Sequence, residues 1–292
     1  MSGTAYTTID SVLGASASYT AFRRGKICVV AYQKWVEREE SMTMASLNED
    51  QINLSARFPL DKREFVRRAM AQCRALDLIA DDRYNAETIE QNLANVDARH
   101  DHSKYMTYIF REESALLYAI VRNMRPRRAA CMGSYYGYWA VAAKAAHPDM
   151  DLTLLDVDPA VMDLARKNFG RLGLARGTNF TVDDAGGLES GLGAIDLLIL
   201  GAEGPKSEET AEGYRDKAIY YPLLKAALGA LAPGALVIAH NVILSNFTDG
   251  LYFEEKQRNY RKQYAKFLQL LREHFFYTVI DSTEGTLVAR KR

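Results

Sequence analysis

The stretch RRAACMGSYYGYWAVAAKAA, residues 127–146, decides the fold. A short apolar run, residues 129–132, meets Gly133 and then Ser134-Tyr135-Tyr136-Gly137. An alanine-rich segment of strong helix formers follows as far as His147-Pro148. This order predicts a strand, a tight glycine turn and a helix. Glycine has no Cβ, so such a turn lets N–H groups at the helix start approach a ligand closely. The same Gly-x-x-x-Gly pattern also serves plain packing, and the segments downstream separate the two uses.

DLTLLD, residues 151–156, predicts a second buried strand that ends in an acid about twenty residues beyond the turn. A carboxylate there can accept hydrogen bonds from the ribose hydroxyls of a nucleoside cofactor lying over the first turn. Asp158-Pro159 then opens a helix, with an acid as N-cap and proline in the first helical position. Strand, glycine turn, helix, strand ending in acid, helix is the first half of a doubly wound α/β sheet.

Working outward, 292 residues suffice for a sizeable core, as one large domain or a domain with an appendage. The chain is 48% apolar and 25% charged, with zero formal net charge. A nucleic-acid partner normally requires a basic surplus, which is missing. The cluster Arg23-Arg24-Gly25-Lys26 reads as a solvated patch. Cys28, Cys73 and Cys131 are far apart, without the spacing of a zinc site or a disulfide framework. No apolar run reaches the length of a membrane span, and the N-terminus lacks a basic region followed by a hydrophobic core. The expected location is the cytoplasm, with no membrane partner.

Residues 1–100 read as a helical N-terminal region, a lid or a homodimer layer. They have no glycine after Gly25 and one proline, Pro59. Helices are predicted over 26–40, 50–55, 61–79 and 86–96, with Asp61 as an N-cap and Glu64 in the capping-box position. From Tyr105 a helix includes REESALLYAIVRNM and stops before Pro126. Further strands are predicted over 179–182, 194–200 and 235–239, with a helix over 222–231. A long helix over 253–274 leads into a hairpin of 275–280 and 286–290. Ligand-binding loops belong at the carboxyl ends of the parallel strands.

GSYYGYWAV, residues 133–141, resembles the GxYxGYS motif of the catechol and caffeoyl-CoA type O-methyltransferases, which use S-adenosylmethionine. LLDVDPAVMDLARKNF, VDDA at 182–185, VIAHNVI at 237–243 and the terminal GTLVARKR resemble that family's later motifs in order. The resemblance runs from about Tyr108 to the end. It implies a seven-stranded, mostly parallel Rossmann-like sheet, residues 101–292, binding S-adenosylmethionine. The cofactor residues it implies are Gly133, Ser134, Tyr135, Gly137, Asp156, Val157, Asp184, Ala185 and Gly201.

The chain departs from the family at the catalytic end. An Asp-Ala-Asp-Lys segment after the fourth strand reads Gly201-Ala202-Glu203-Gly204 here, and an Asp-Asn pair after the fifth reads His240-Asn241. The acid that would hold a divalent metal is therefore a glycine. One Asn, one His and no aligned carboxylate make a poor Mg²⁺ site, unless Glu203 swings in for a softer metal. The expectation is a metal-free site with His240 as general base and Lys206 in reserve. The ordinary alternative for His240 is a hydrogen-bonded structural residue, and for Lys206 a solvated loop lysine. Cys131 replaces a usual acid and reads as an inert buried thiol. Trp139 replaces a small hydroxyl residue and reads as core or as a crowding group beside the cofactor.

The expected activity is methyl transfer from S-adenosylmethionine to a small-molecule heteroatom. Two alternatives stay open: transfer of the cofactor's aminocarboxypropyl arm, as in nicotianamine synthase-like proteins, or a non-catalytic protein on a degenerate methyltransferase fold.

Overall fold

A computed structural model describes residues 62–105, 109–183, 193–204, 216–242, 264–280, 282 and 285–292. The helices expected over 26–40 and 50–55, the cluster at 23–26, Cys28 and the cap Asp61 lie outside the described residues. So do Asp184, Ala185, Lys206 and the first part of the helix expected over 253–274.

Three helices come first: α1 (Lys62–Ala75), α2 (Ala86–Arg99) and α3 (Arg111–Met124). The sheet half follows as β1 (Arg128–Met132), α4 (Tyr138–Ala146), β2 (Asp151–Asp156), α5 (Pro159–Leu172) and β3 (Thr178–Val182). Next are β4 (Ile195–Leu200), a 3₁₀ turn (Asp216–Ile219), α6 (Tyr220–Ala227) and β5 (Leu231–Ala239). The chain closes with α7 (Ala265–His274), β6 (Phe275–Ile280) and β7 (Thr286–Lys291). The strand order is β3-β2-β1-β4-β5-β7-β6. Strands β1 to β5 pair in parallel, and β7 runs antiparallel to both β5 and β6. This is the doubly wound sheet expected from the turn and its flanking strands, with the seven strands that the family resemblance implied.

Side chains alternate across each strand, so one sheet feeds two cores. Cys131, Leu154, Leu197, Ile199 and Ile238 face the layer of α1 to α5. Met132, Leu155, Leu198, Leu200 and Val237 face α6 and α7. Phe65, Met70 and Cys73 of α1, with Ile89 and Val96 of α2, are buried in the same cluster as those first strand residues. The buried Glu113 ties α3 to the closing hairpin. Its carboxylate accepts from the Phe110 N–H at 3.1 Å, the Ser282 hydroxyl at 2.8 Å and the Thr286 hydroxyl at 3.1 Å. A buried carboxylate with this many donors is satisfied rather than reactive.

Several boundaries differ from the sequence-based expectation. The helix expected from Tyr105 begins at Arg111, where Glu113 closes the first turn onto Phe110. The helix expected over 222–231 begins two residues earlier, at Tyr220, because the 3₁₀ turn runs directly into it. Pro222 therefore sits within the first turn, where a missing N–H still costs no intrahelical bond. β5 begins at Leu231 rather than 235: Leu231 pairs with Ile195 before a register shift absorbs Pro233-Gly234. Among the described residues no helix is long and apolar enough to cross a membrane.

Candidate functional site

The turn after β1 is held by backbone. The N–H groups of Gly133 and Ser134 both donate to the Leu155 carbonyl, at 2.9 and 3.0 Å, tying the turn to β2. Gly133 has φ +67°, and a Cβ there would overlap the backbone of Ala202 in the loop after β4. A Cβ on Gly201 would in turn lie 2.8 Å from the Gly133 carbonyl oxygen. The ends of β1 and β4 thus meet backbone to backbone, and a side chain at either position would push them apart. Gly137, at φ +85°, caps α4 and faces Phe169 and Ala165 of α5.

Asp156 ends β2 beside this turn. One carboxylate oxygen accepts from the Tyr135 N–H at 2.7 Å and the other from the Asp158 N–H at 3.2 Å. Burial raises its pKa above the usual aspartate range, and those two backbone donors offset part of that. Each carboxylate oxygen has two acceptor sites, so acceptor capacity remains for a ligand hydroxyl. Val157 follows, 68% exposed, as an apolar shelf beside the acid.

On the other side of the cleft, His240 is buried and packs edge-on against Trp139, with ring centroids 5.1 Å apart and planes at 78°. Its carbonyl accepts from the Tyr220 hydroxyl at 2.9 Å. The next carbonyl, of Asn241, accepts from the Tyr264 hydroxyl at 3.0 Å, with Asn241 held at φ +56°. Asparagine is among the few side chains that adopt this left-handed region readily. A Cβ on Gly201 would lie 3.7 Å from His240 Nε2, in ordinary contact with the imidazole, so the close approach that calls for glycine is the one to Gly133. Lys217 reaches the cleft from the 3₁₀ turn. Its ammonium donates to the Ala202 carbonyl at 3.0 Å and faces Glu203 at 3.8 Å.

These groups surround one cleft of about 540 Å³ at the carboxyl ends of the parallel strands. Of the residues expected from sequence, Gly133, Ser134, Tyr135, Asp156, Val157, Gly201 and His240 line it. Gly137 acts from behind, as the cap of α4. Asp183, one residue before the expected Asp184, is in the wall. Lys217 was not anticipated. A single lysine ahead of an apolar helix has no pattern that distinguishes it from a surface residue. Cys131 lines the cleft from within β1, and burial pushes its thiol pKa well up, which disfavours a nucleophilic thiolate. Trp139 Nε1 and Asn241 Oδ1, both in the wall, are buried and have no hydrogen-bond partner among the described residues.

A layer of rings supports the turn from behind. His102 Nδ1 lies 2.9 Å from the Tyr136 hydroxyl, and the Tyr138 hydroxyl donates to Asp97 at 2.8 Å. Asp97 in turn pairs with Arg111 at 3.2 Å. His100 is buried against His102, Tyr136 and Tyr138. Its pKa is pushed down to about 3, chiefly by burial and next by the neighbouring His102.

No family model matches the chain. Solved structures share its fold. An SAH-bound methyltransferase from Podospora anserina is 16% identical, with a TM-score of 0.54 over 80% of this chain and 98% of that one. The O-methyltransferase TomG from Streptomyces achromogenes, in complex with SAM, is 15% identical, with a TM-score of 0.50 over 80% of this chain and 99% of that one. The seven-stranded sheet and its helices are those of the Rossmann-like methyltransferase fold.

Proposed function

We propose that this chain transfers a methyl group from S-adenosylmethionine to a heteroatom of a small molecule, without a metal and with His240 as general base. The observation that carries this reading is the pairing of Asp156 and His240 across one cleft at the carboxyl edge of the sheet. When bound, the cofactor supplies an electrophilic sulfonium methyl. The residues suited to hold it are the Gly133–Tyr135 turn and Asp156, with Val157 beneath a flat base and Asp183 beside it. The expected roles of Asp184 and Ala185 belong to this reading as well.

His240 lies at the opposite wall, buried against Trp139, where water is largely excluded. An imidazole nitrogen there takes the proton from an acceptor hydroxyl as the nucleophile attacks. Binding both reactants in one cleft contributes through orientation. Among the described residues, the donors lining the cleft after β4 and β5 are Glu203, His240 and Asn241, a set poorly matched to Mg²⁺, which prefers several oxygen ligands in octahedral geometry. Lys206 is kept as a reserve proton carrier, and residues 1–100 as a lid or dimer layer.

The test is a calorimetric titration with S-adenosylhomocysteine, followed by mass analysis of products from S-adenosylmethionine with a panel of acceptors. S-adenosylhomocysteine as product supports methyl transfer. Methylthioadenosine as product would replace it with transfer of the aminocarboxypropyl arm.

A further inference from the structure

The chain leaves the sheet for two residues after β5. The registers of β5 with β4 and with β7 both stop at Ala239, and the Val242 N–H then returns to the Gly285 carbonyl at 2.9 Å. An unbroken register would set Asn241 opposite Gly285, so one extra residue is inserted, as in a β-bulge. Asn241 supplies the kink, with φ +56°. The insertion decides where the side chains go. Ala239 and Val242 both belong to the core beneath α6 and α7. Simple alternation would send Asn241 to that core and Val242 to the opposite face. Instead His240 meets Trp139 of α4, and Asn241 joins the cleft wall.

Two tyrosines hold this excursion from the α6–α7 side. Tyr220, the first residue of α6, donates its hydroxyl to the His240 carbonyl at 2.9 Å. Tyr264, just ahead of α7, donates to the Asn241 carbonyl at 3.0 Å. Both tyrosines are fully buried, and both rings contact Phe267 of α7, at centroid distances of 5.9 and 5.8 Å. Neither takes part in the cleft wall. A buried tyrosine hydroxyl needs some partner, and a carbonyl is an ordinary one. Here, however, the two partners are consecutive residues, the very two whose main chain stands outside the register of the sheet. What the ladder does not fix there, the hydroxyls fix.

Building on the methyl-transfer reading above, we infer that Tyr220 and Tyr264 are positioning residues. Their hydroxyls hold the excursion in the backbone shape that presents the His240 imidazole and the Asn241 carboxamide to the acceptor. Neither tyrosine touches the reactants.

The experiment uses the full chain with isotope-labelled histidine and needs no ligand. The His240 ring signal is assigned by its loss in His240→Gln, and its nuclear Overhauser contact with the Trp139 indole reports the packing of the two rings. Tyr264→Phe removes one oxygen and keeps the ring. It should lower the held arrangement about fivefold relative to its alternatives, weakening that contact while the sheet signals stay. Tyr220→Phe should act in the same direction. An unchanged contact in a folded variant would overturn the role of that tyrosine. If neither variant folds, Asn241→Gly and Asn241→Ala decide: glycine accepts the left-handed backbone and should keep the contact, whereas alanine resists it and should weaken it. Equal contacts in those two would sink the idea. With an acceptor found by product analysis, Tyr264→Phe should lower turnover roughly tenfold, leave S-adenosylhomocysteine affinity unchanged and add nothing to His240→Ala. Fully additive losses would make the hydroxyl merely structural. If no methyl transfer is found, the reading of His240 as base fails, while the ring contact still decides the positioning.

Discussion

On the β1–β2 side, the cleft is walled by a turn whose backbone N–H groups are tied to Leu155 and Asp156 and by one carboxylate, all within a single strand–turn–helix–strand unit. On the β4–β5 side the wall is made by side chains from separate segments: Trp139 from α4, Lys217 from the 3₁₀ turn, and His240 and Asn241 after β5. The first side is local geometry, set by glycines whose φ values and close approaches leave little choice. The second is tertiary convergence, which leaves the chemistry free to change while the fold stays. Gly201 sits where the two sides touch. It keeps β4 against Gly133 and lies in contact range of the His240 imidazole.

The largest expected effect separates the sides by function. His240→Ala should lower turnover by about 10²–10⁴ while leaving S-adenosylhomocysteine affinity nearly unchanged, measured by single-turnover kinetics and calorimetry. The acid limb of the pH–rate profile should disappear with it. Chelation should change turnover little. If EDTA abolishes turnover and a divalent ion restores it, His240, Asn241 and Glu203 must be reread as metal ligands. If neither chelation nor His240→Ala matters, orientation alone is the better account.

How legible each side was follows from the same contrast. β2 was readable to the residue as 151–156, and α5 began where Asp158-Pro159 places it, because caps and alternating burial are short-range signals. Tyr105 misled as a helix start, because the closure that defines α3 depends on Glu113 reaching back to Phe110. Lys217 was invisible for a different reason. It meets Ala202 and Glu203, some fifteen residues earlier in the chain, and no periodicity records that. His240 was visible only by comparison with a family motif. A histidine at a strand end has no distinguishing pattern of its own.

A second prediction tests the local side. Asp156→Ala should lose charge-assisted hydrogen bonds worth roughly 1.5–3 kcal/mol, weakening S-adenosylhomocysteine by about tenfold to hundredfold. Asp156→Asn sharpens the point. Burial raises the Asp156 pKa above its unfolded value, so the folded state holds the proton more tightly and ionisation at neutral pH costs stability. The Asn variant is spared that cost but keeps one acceptor oxygen where the carboxylate uses both, for the Tyr135 and Asp158 N–H groups, so it should melt close to or below wild type near pH 7 and bind the ligand more weakly. In wild type, affinity should fall on acidification at a pH above that of an ordinary aspartate, and the Asn variant should lack that fall. Unchanged ligand affinity in the Asn variant, or the same fall on acidification in both proteins, would remove Asp156 from the binding site.

The smallest effect asks whether the ring layer behind the turn is an independent support. His100 is buried against His102, Tyr136 and Tyr138, near Asn168, with Asp101 and Arg171 facing it from the adjoining segments. Its folded pKa, about 3, lies below the 6.5 of an ordinary solvated histidine, which stands for the unfolded chain. Between those values the unfolded state binds a proton that the folded state refuses, so stability falls as pH drops below 6.5 and levels off near 3. For one group the slope is about 1.4 kcal/mol per pH unit. His102 is shifted in the same direction by burial and adds to the wild-type loss, so only the difference between variants isolates His100. Denaturant unfolding at pH 7 and pH 5.5 should show wild type losing roughly 1 kcal/mol more than His100→Gln. Catalytic rates at pH 7 should be alike, since the layer touches the turn and not the β4–β5 side. Equal losses would mean that His100 is reached by water in solution. The turn would then depend on its glycines and on the carbonyl of Leu155 rather than on the rings behind it.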